Sequence, residues 1–480
     1  MENPPLPSEI LYQIFEYFCH HCQEKHPASH EHLPIFDNET NENRRALLSL
    51  SRTCKSWGCI AQNVLHHYFI FSDVRRQILL CRTICENPEL GERLQFASLE
   101  RLALMVDPAM AQPWFSRSIA RFLHLFKKDS LDWQGCTVAW GDCIAPLILL
   151  QAPNLKHLVV HGRYNLYLFD EFDMEATMRY RALPQNLESL SVGHQEISCL
   201  WDGYPPVRTG LDALGGLLIR LENLETLSLS RPDLKSLPEK LPLQRLRRLR
   251  IGNACLSKNR LQSLINSTGH LEEFVYREID HAVHTTRAIL VKSQEVFEML
   301  VPMKATLKRV VLRMYRSERL PTAGAQLVNL QQLRINPGVL CDIPTLKLNR
   351  QDLAKHDLLN VFPPNLQTLC LDHSHADAAR YGEALGCYIS STYKEDPQEQ
   401  KLREVTLHIV DTAFPHPMGA IIHVSPHMLS HVNAREVEFL RNKCSSSWLE
   451  NGCVTVTTEP ILWYSCNKVG NNKMLPAYPI

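Results

Sequence analysis

The chain of 480 residues carries 51 basic and 51 acidic side chains, so its formal net charge is zero. A balanced charge gives no electrostatic case for binding nucleic acid or an anionic membrane, and we expect neither as a partner. The length could hold several domains of about 100 to 200 residues each, unless repeats form one long unit.

No targeting or membrane segment is expected. Met1 to Ile10 contain neither a basic start nor an apolar core, so no signal peptide is predicted. The longest apolar run, Ile144 to Leu150 with Pro146 inside it, is well short of the roughly 20 residues that span a bilayer. The 16 cysteines are scattered through apolar patterns and suit reduced thiols. We expect a soluble protein of the cytoplasm, the nucleus or both.

The N-terminal region predicts short amphipathic helices. Pro7 has no backbone donor and suits the first turn of a helix, with Glu9 near the positive end of its dipole. Two stripes have helical spacing, namely Ile10, Leu11, Ile14, Phe15 and Phe18, then Leu47, Leu50, Cys54, Trp57 and Ala61. A third short helix is predicted through Val64, Leu65, Tyr68 and Phe69. Such short helices should leave some apolar surface available for a partner.

The opening Leu6-Pro7-Ser8-Glu9-Ile10-Leu11 and the closing Cys54-Lys55-Ser56-Trp57 together resemble an F-box. F-box proteins bind a small Skp-family adaptor, which binds a cullin and completes a ubiquitin ligase. The resemblance implies an adaptor-binding set of Leu6, Pro7, Ile10, Leu11, Ile14, Leu50, Cys54 and Trp57. The stripes alone would equally suit ordinary core helices, and the two end motifs favour the F-box.

Two features depart from the family pattern. Thr53 stands where an apolar β-branched residue is usual, and a polar insert at residues 19–43 lengthens the module. A surface loop of this length costs little stability, because closure entropy grows only logarithmically with length. The insert contains Cys19, Cys22, His26, His30 and His32, which are residue types that zinc prefers. The short gap from Cys22 to His26 argues against a zinc finger, so we expect no metal and no cofactor.

A six-residue phrase, leucine followed by apolar residues at the fourth and sixth positions, recurs down the rest of the chain. Its first leucine is often preceded by Asn, as at Asn154, Asn186, Asn223, Asn329 and Asn365. The phrases are Leu99-Leu102-Leu104, Leu155-Leu158-Val160, Leu187-Leu190-Val192, Leu224-Leu227-Leu229, Leu246-Leu249-Ile251, Leu271-Phe274-Tyr276, Leu307-Val310-Leu312, Leu330-Leu333-Ile335, Leu366-Leu369-Leu371 and Leu402-Val405-Leu407.

These phrases resemble degenerate leucine-rich repeats, whose period is about 20 to 29 residues without insertions. Helical patterns lie between them at Leu261 to Ile265, Arg287 to Leu300 and Asp352 to Phe362. The resemblance implies an α/β fold in which a three-helix F-box precedes an irregular leucine-rich-repeat solenoid, or horseshoe. The uneven spacing leaves a compact α/β domain as the alternative. Among F-box proteins with degenerate repeats, the chain is most similar to the fungal group.

Four segments are therefore predicted. An F-box occupies residues 1–70, and a helical linker that caps the first repeat occupies residues 71–98. The repeats run through residues 99–444. Residues 445–480, with Val454, Val456, Trp463 and Tyr464, form a C-terminal cap.

Residues beside the repeat leucines alternate to the opposite face of each strand, which is the concave face of a solenoid. That face is predicted to carry Arg248, Arg250, Arg277, Arg309, Arg313 and Arg334. Arginine presents a planar fork that matches carboxylate or phosphate. One hypothesis is therefore a protein substrate with an acidic or phosphorylated segment. The other is a solvated face on which the arginines pair with Glu273 or with acidic loop residues.

No enzyme signature is visible. The chain has no phosphate-binding Gly-x-x-x-x-Gly-Lys-Ser/Thr loop, no Gly-x-Ser-x-Gly elbow and no His-Glu-x-x-His zinc helix, the motifs that mark three large enzyme classes. We expect a non-enzymatic substrate receptor of an Skp–cullin–F-box (SCF) ubiquitin ligase. The alternative is an interaction scaffold outside any ligase, and an enzyme whose site is built from distant residues is the third class.

Overall fold

The structure is a computed structural model. The described residues are 6–19, 22, 38–70, 74–100, 113–122, 125, 139–161, 183–193, 209–210, 218–219, 221–230, 232–233, 241–254, 256–278, 291–314, 322–336, 362–374, 404–410, 419–424 and 454–457. The chain divides into two compact units. The first unit comprises Met1–Gln195, Val207–Gly252 and Asn266–His270, and the second comprises Glu196–Pro206, Asn253–Ile265 and Leu271–Ile480.

Three helices open the first unit, α1 (Ser8–Glu16), α2 (Asn38–Leu50) and α3 (Lys55–Leu65). Pro7 precedes α1 with a ψ of 145°, so it caps the helix instead of lying in its first turn. The inner faces share a small core of Leu11, Phe15, Cys19, Leu47, Ala61 and Val64. The stripe predicted from Ile10 to Phe18 therefore marks a real helix, of which only one side faces this core.

The second predicted stripe is not one helix. The chain leaves α2 after Leu50 and turns, and Cys54 is extended, with φ of −156° and ψ of 168°, before α3 begins. Gly58 packs against this turn, where an added Cβ would lie 2.9 Å from the carbonyl oxygen of Ser51. Residues 38–43, predicted as part of the polar insert, are helical, because α2 already begins at Asn38.

The prediction of a third helix through Val64 to Phe69 is wrong beyond Leu65. Tyr68 and Phe69 form a short strand, β1 (Tyr68–Phe69), which pairs in parallel with β2 (Phe96–Glu100). The carbonyl of His67 accepts hydrogen bonds from the N–H groups of Gln95 (3.0 Å) and Phe96 (2.9 Å). Tyr68 and Phe96 also bring their ring centroids to 4.4 Å. The three-helix region thus runs directly into the sheet.

The first unit continues with α4 (Val74–Glu86) and α5 (Pro88–Gly91) before β2, then α6 (Pro113–Phe122) and α7 (Ala139–Leu150). Its further sheet strands are β3 (His157–His161), β4 (Ser189–Gly193), β6 (Thr226–Ser230) and β8 (Arg248–Ala254), all paired in parallel. A separate parallel pair joins β5 (Thr209–Gly210) to β7 (Pro232–Asp233). Helix α4 lies within the helical linker predicted at residues 71–98, with Ile78 buried and Leu79 exposed.

The second unit contains the helices α8 (Lys258–Asn266) and α9 (Ser293–Leu300) and two 3₁₀ turns, Val301–Met303 and Thr322–Gln326. Its sheet runs in the order β9 (Glu273–Glu278), β10 (Arg309–Arg313), β11 (Gln332–Ile335), β12 (Thr368–Ser374), β13 (Glu404–Val410), β14 (Gly419–Val424) and β15 (Val454–Thr457). The first five are parallel neighbours, whereas β14 and β15 are antiparallel. The predicted mixed α/β class is confirmed.

The predicted helices of this unit are met in part. Helix α8 contains the stretch predicted from Leu261 to Ile265, and α9 begins at Ser293 within the longer stretch predicted from Arg287. Residues 352–361, predicted to be helical, lie outside the described residues, as do Trp463 and Tyr464 of the predicted C-terminal cap.

The apolar phrases align across neighbouring strands, which explains their spacing. In the first unit Leu158, Leu190, Leu227 and Leu249 form one row, and Val160, Val192, Leu229 and Ile251 form the next. In the second unit Phe274, Val310, Leu333 and Leu369 form a row. Every one of these side chains is at most 3 % exposed. Fully burying such a side chain contributes about 1.5–3 kcal/mol, so these rows stabilise each unit.

The first predicted phrase has the wrong register. Ala97 lies opposite Leu158 and Leu99 lies opposite Val160, so the phrase is Leu94-Ala97-Leu99 and not Leu99-Leu102-Leu104. Leu94, Ala97 and Leu99 are all essentially inaccessible to solvent. The small Ala97 at the fourth position hides the pattern, and Leu99 appears to open a phrase because leucine also occupies position 102.

Four of the asparagines that precede the first leucine of a phrase bind a backbone carbonyl of the preceding part of the chain. The side-chain amide of Asn154 donates to the carbonyl of Glu92 (2.8 Å), and that of Asn223 donates to Gln185 (3.4 Å). In the second unit Asn329 donates to Ala305 (2.9 Å), and Asn365 donates to Val328. Each asparagine thereby satisfies a turn carbonyl, a group that has no partner within its own turn.

Candidate protein-docking surfaces

Helix α1 carries an exposed apolar row, which we call the α1 stripe and define as Leu6, Ile10, Ile14 and Tyr17. These side chains are 54 %, 41 %, 43 % and 71 % exposed, respectively. Ile10 and Ile14 are spaced by four residues and Tyr17, at the end of the helix, follows by three, so these three lie on one side of α1. Leu6 precedes the helix, just before Pro7. Singly exposed apolar residues are ordinary, whereas neighbouring exposed apolar side chains on one helix are typical of interaction surfaces.

The opposite side of α1 holds the helix in place. Leu11 is 7 % exposed and Phe15 is 1 % exposed, and the Phe15 ring meets Trp57 of α3 edge to face with centroids 5.7 Å apart. Such an arrangement is favourable for aromatic pairs. Because α1 is fixed from behind, the α1 stripe is presented as a preformed surface.

The predicted adaptor-binding residues divide by exposure. Leu6, Pro7, Ile10, Ile14 and Cys54 are exposed. Leu50 and Trp57 are half-buried against the helix core. Leu11 is buried in that core together with Phe15, so its side chain is unavailable on the surface. Tyr17 joins the exposed row but was not among the residues expected from the motif.

Cys54 lies at the start of α3 and has an altered thiol. Its Sγ is 3.2 Å from Ser56 Oγ. The hydrogen bond from Ser56, helped by the backbone N–H of Trp57, lowers the pKa of the Cys54 thiol. An exposed thiol with a lowered pKa reacts faster with electrophiles at neutral pH, because more of it is thiolate.

Behind the α1 stripe, four polar side chains meet at the junction of α1 with the sheet. Tyr12 Oη lies 3.1 Å from Nε2 of His67, and Cys22 Sγ lies 3.4 Å from Nδ1 of the same ring. The ligand atoms of Cys19, Cys22 and His67 all lie within 4.8 Å of one another. Cys19 is 3 % exposed and His67 is 4 % exposed. We call these four residues the junction cluster.

The surroundings of the junction cluster favour uncharged groups in the absence of a cation. Hydrogen bonding to Cys19, burial and the nearby Glu16 carboxylate raise the pKa of the Cys22 thiol. Burial, followed by the charges of Glu16 and Cys22, raises the pKa of Tyr12. Burial also raises the pKa of Tyr68 beside them.

Sequence spacing identified two members of the junction cluster and missed the others. Cys19 and Cys22 belong to the Cys/His set considered in the insert, whereas His26, His30 and His32 lie outside the described residues. His67 is 45 positions from Cys22, so local spacing carries no signal for it. Tyr12 was expected only as part of an amphipathic helix.

The arginine face of the first unit differs from the expectation of an open surface. Arg248 is exposed, as predicted, but Arg250 is only 8 % exposed. Arg250 pairs in register with Ser228, which is likewise 8 % exposed. Both faces of the sheet are therefore covered at this position. The prediction that Arg250 lies on an open binding face is wrong.

In the second unit the arginines occupy distinct settings. Arg309 lies opposite Glu273 in register, and their side chains form an ion pair at 3.6 Å, which is the alternative foreseen for these residues. Arg277 and Arg313 lie directly opposite each other on β9 and β10 and are half-buried. Arg334 on β11 is half-buried beside Val311. Two cations on adjacent strands make Arg277 and Arg313 the best-placed pair for an anion.

None of the described helices has both the length and the apolar character needed to cross a membrane. Comparison with known proteins brings no relative: no protein-family model matches the sequence, and no curated protein matches it.

Proposed function

We propose that the chain is the substrate-recognition subunit of an SCF ubiquitin ligase. In this proposal the N-terminal helices are an F-box that binds a Skp-family adaptor and, through it, a cullin. The strands and helices that follow are a leucine-rich-repeat solenoid that binds the target protein. Such a receptor needs no chemistry of its own, because holding a target beside a ubiquitin-charged enzyme raises its effective concentration.

The α1 stripe is the observation that carries the adaptor part of this proposal. It lies on the helix formed by the Leu6-Pro7-Ser8-Glu9-Ile10-Leu11 motif, and it leaves large apolar side chains in water. The four side chains are between 41 % and 71 % exposed, so covering them would contribute on the order of 1 kcal/mol per side chain. Leu48 on α2 is also exposed, at 41 %, and provides an apolar comparison site outside the stripe.

Arg277 and Arg313 support an acidic or phosphorylated target segment. Neighbouring strands are about 4.7–4.9 Å apart, so the two side chains leave the sheet close together on the same face. A phosphate carries about −1.5 to −2 charge at neutral pH and accepts several hydrogen bonds from such forks. Arg309, on the same face of β10, forms an ion pair with Glu273.

The test is co-elution of the purified chain with a Skp-type adaptor in size-exclusion chromatography. An Ile10→Asp, Ile14→Asp double variant should lose the adaptor, whereas Leu48→Asp should keep it. Circular dichroism and a thermal melt show whether both variants keep their fold. Failure of the wild type to bind adaptor overturns the F-box assignment.

The runner-up function is an interaction scaffold outside any ligase. Helix α2 begins at Asn38, so the last residues of the insert at 19–43 are part of this helix. This is the feature that would alter how the three helices bind an adaptor. Adding a cullin to the co-elution separates the two functions. A ternary complex supports the ligase subunit, and an adaptor complex that excludes the cullin supports the scaffold.

A further inference from the structure

The junction cluster brings together two thiols and an imidazole that come from distant parts of the chain. Cys19 and Cys22 follow the end of α1, and His67 precedes β1. Neither cysteine is in a disulfide bond. Their sulfur atoms and a ring nitrogen of His67 lie within 4.8 Å of one another. Thiolate and imidazole are the ligand types that proteins use most for zinc.

The separation between Cys22 and His67 fits one small tetrahedral cation, and the Cys19 sulfur lies within 4.8 Å of both ligand atoms. With Zn–S near 2.3 Å and Zn–N near 2.0–2.1 Å, ligand atoms on a tetrahedral zinc are roughly 3.5–3.8 Å apart. Cys22 Sγ and His67 Nδ1 are 3.4 Å apart, so they need almost no movement to share an ion. The Glu16 carboxylate is close as well, with Oε1 3.7 Å from Cys22 Sγ.

Tyr12 holds the imidazole in a suitable orientation. Its Oη lies 3.1 Å from His67 Nε2. When Oη accepts a hydrogen bond from the Nε2–H group, Nδ1 is unprotonated and keeps its lone pair toward Cys22. Metal-binding histidines usually donate their other ring N–H to such a partner, which fixes both the tautomer and the ring orientation. The backbone of His67 is also fixed, because its carbonyl accepts from Gln95 and Phe96.

We propose that Cys19, Cys22 and His67 bind one Zn²⁺ ion, which ties the end of α1 to the first strand of the sheet. The ion replaces the protons of both thiols, so two protons leave to solvent and the two thiolates balance its charge. Three protein ligands leave the fourth tetrahedral position to a water molecule or to the Glu16 carboxylate. The site is separate from the α1 stripe and does not depend on the proposed ligase function.

The experiment measures metal on the purified full-length chain, kept reduced. Zinc per chain is determined by mass spectrometry after desalting, and the metal-free protein is titrated with Co²⁺ while sulfur-to-cobalt charge-transfer absorption is followed. The variants are Cys19→Ser, Cys22→Ser and His67→Gln. Cys59→Ser is the matched control, since Cys59 is an exposed cysteine on α3 that lies outside the cluster.

We expect one zinc per chain and a thiolate–cobalt band in the wild type and in Cys59→Ser. Each ligand variant should lose the zinc. Loss of a group that only hydrogen-bonds to a metal ligand typically lowers metal affinity 10–100-fold, so the Co²⁺ affinity of Tyr12→Phe should fall by about 10–100-fold. The Co²⁺ affinity of each ligand variant should fall by more than that. Cys22→His, which restores a ligand, should bind better than Cys22→Ser. Circular dichroism identifies any variant that has unfolded. In that case the comparison of Cys22→His with Cys22→Ser decides whether Cys22 is a metal ligand.

Three results would overturn the proposal. One is a reduced wild type that takes up neither zinc nor cobalt. Another is a cobalt–thiolate band that persists in a Cys19→Ser, Cys22→Ser double variant. The third is a Cys19–Cys22 disulfide found by peptide mapping, in protein that takes up no cobalt even after reduction. The two cysteines would then be a redox couple and not metal ligands.

Discussion

Ile10 and Leu11 are neighbours on α1 but lie in opposite environments, at 41 % and 7 % exposed. Leu11→Ala should therefore destabilise the protein by about 2–5 kcal/mol, the range for opening a cavity in a core. Ile10→Ala should change the free energy of unfolding by about 0.5 kcal/mol or less. Thermal or urea unfolding of both variants measures the difference. Equal losses would show that the assignment of faces on α1 is wrong.

Replacing Arg277 and Arg313 together by Gln should weaken capture of a phosphorylated target peptide. Two phosphate contacts are lost, so the remaining affinity should depend less steeply on salt than that of the wild type. Binding is measured by fluorescence anisotropy at several salt concentrations. Arg309→Gln is the control, because Arg309 is already paired with Glu273, and it should have a smaller effect. Identical salt dependence in all three proteins would exclude this pair as the anion site.

Asn329→Ala should lower stability by about 1 kcal/mol, since the side chain donates a 2.9 Å hydrogen bond to the carbonyl of Ala305. Asn329→Asp should cost more, because its carboxylate cannot donate and would face a carbonyl oxygen. The order wild type, Ala, Asp in melting temperature is the expected result. A stability of Asn329→Asp equal to that of the wild type would contradict the role assigned to these asparagines.

Glu295 should contribute stability only while it is ionised. Burial alone would raise its pKa, but hydrogen bonds from the Lys292 backbone and the Lys258 side chain dominate and lower it. The two donors lie 3.0 Å from the carboxylate. A pKa lowered in the folded state stabilises the fold above the unfolded pKa, and this contribution is lost as pH falls through the folded value.

Glu295→Gln should therefore cost about 0.3–1 kcal/mol at neutral pH, the range for an acidic group at a helix N-terminus. The difference from the wild type should vanish in acid. Unfolding curves at neutral pH and at acidic pH provide the comparison. A constant difference across that range would show that the charge of Glu295 is not the cause.

Cys54 should be alkylated at a lower pH than it would be without Ser56. The hydrogen bond from Ser56 stabilises the thiolate, so Ser56→Ala should move the pH profile of alkylation upward. The rate is followed by mass spectrometry of the peptide that contains Cys54, with Cys59 on the same helix as an internal reference. An unchanged profile would mean that Ser56 does not stabilise the thiolate in solution.

Strand positions could be predicted because they follow a local rule. Leucine and its fourth-position and sixth-position partners point to one side of each strand, and nearly all phrases within the described residues fall on strands in register. The exception at Leu94-Ala97-Leu99 arises because alanine fills a core position that elsewhere holds a larger side chain. Burial there depends on the neighbouring strands, not on residue size.

Other features depend on contacts that local patterns do not encode. The apolar stripe continues in phase from Leu47 to Trp57, so nothing in its period marks the turn before Cys54. The burial of Arg250 results from what covers both faces of its strand. His67 reaches the two cysteines only because β1 brings it back to the end of α1.

The β1 strand also protects its neighbour. It occupies the side of β2 opposite β3, so the N–H groups of Gln95 and Phe96 are already satisfied by His67. Removing residues 1–70 would leave β2 without its partner at Phe96 and Ala97, and would leave the N–H groups of Gln95 and Phe96 without the carbonyl of His67. Such an open edge is a template for pairing with another chain. The truncated protein should therefore self-associate, and its tendency to aggregate would reflect a missing neighbour and not a failure of the repeats to fold.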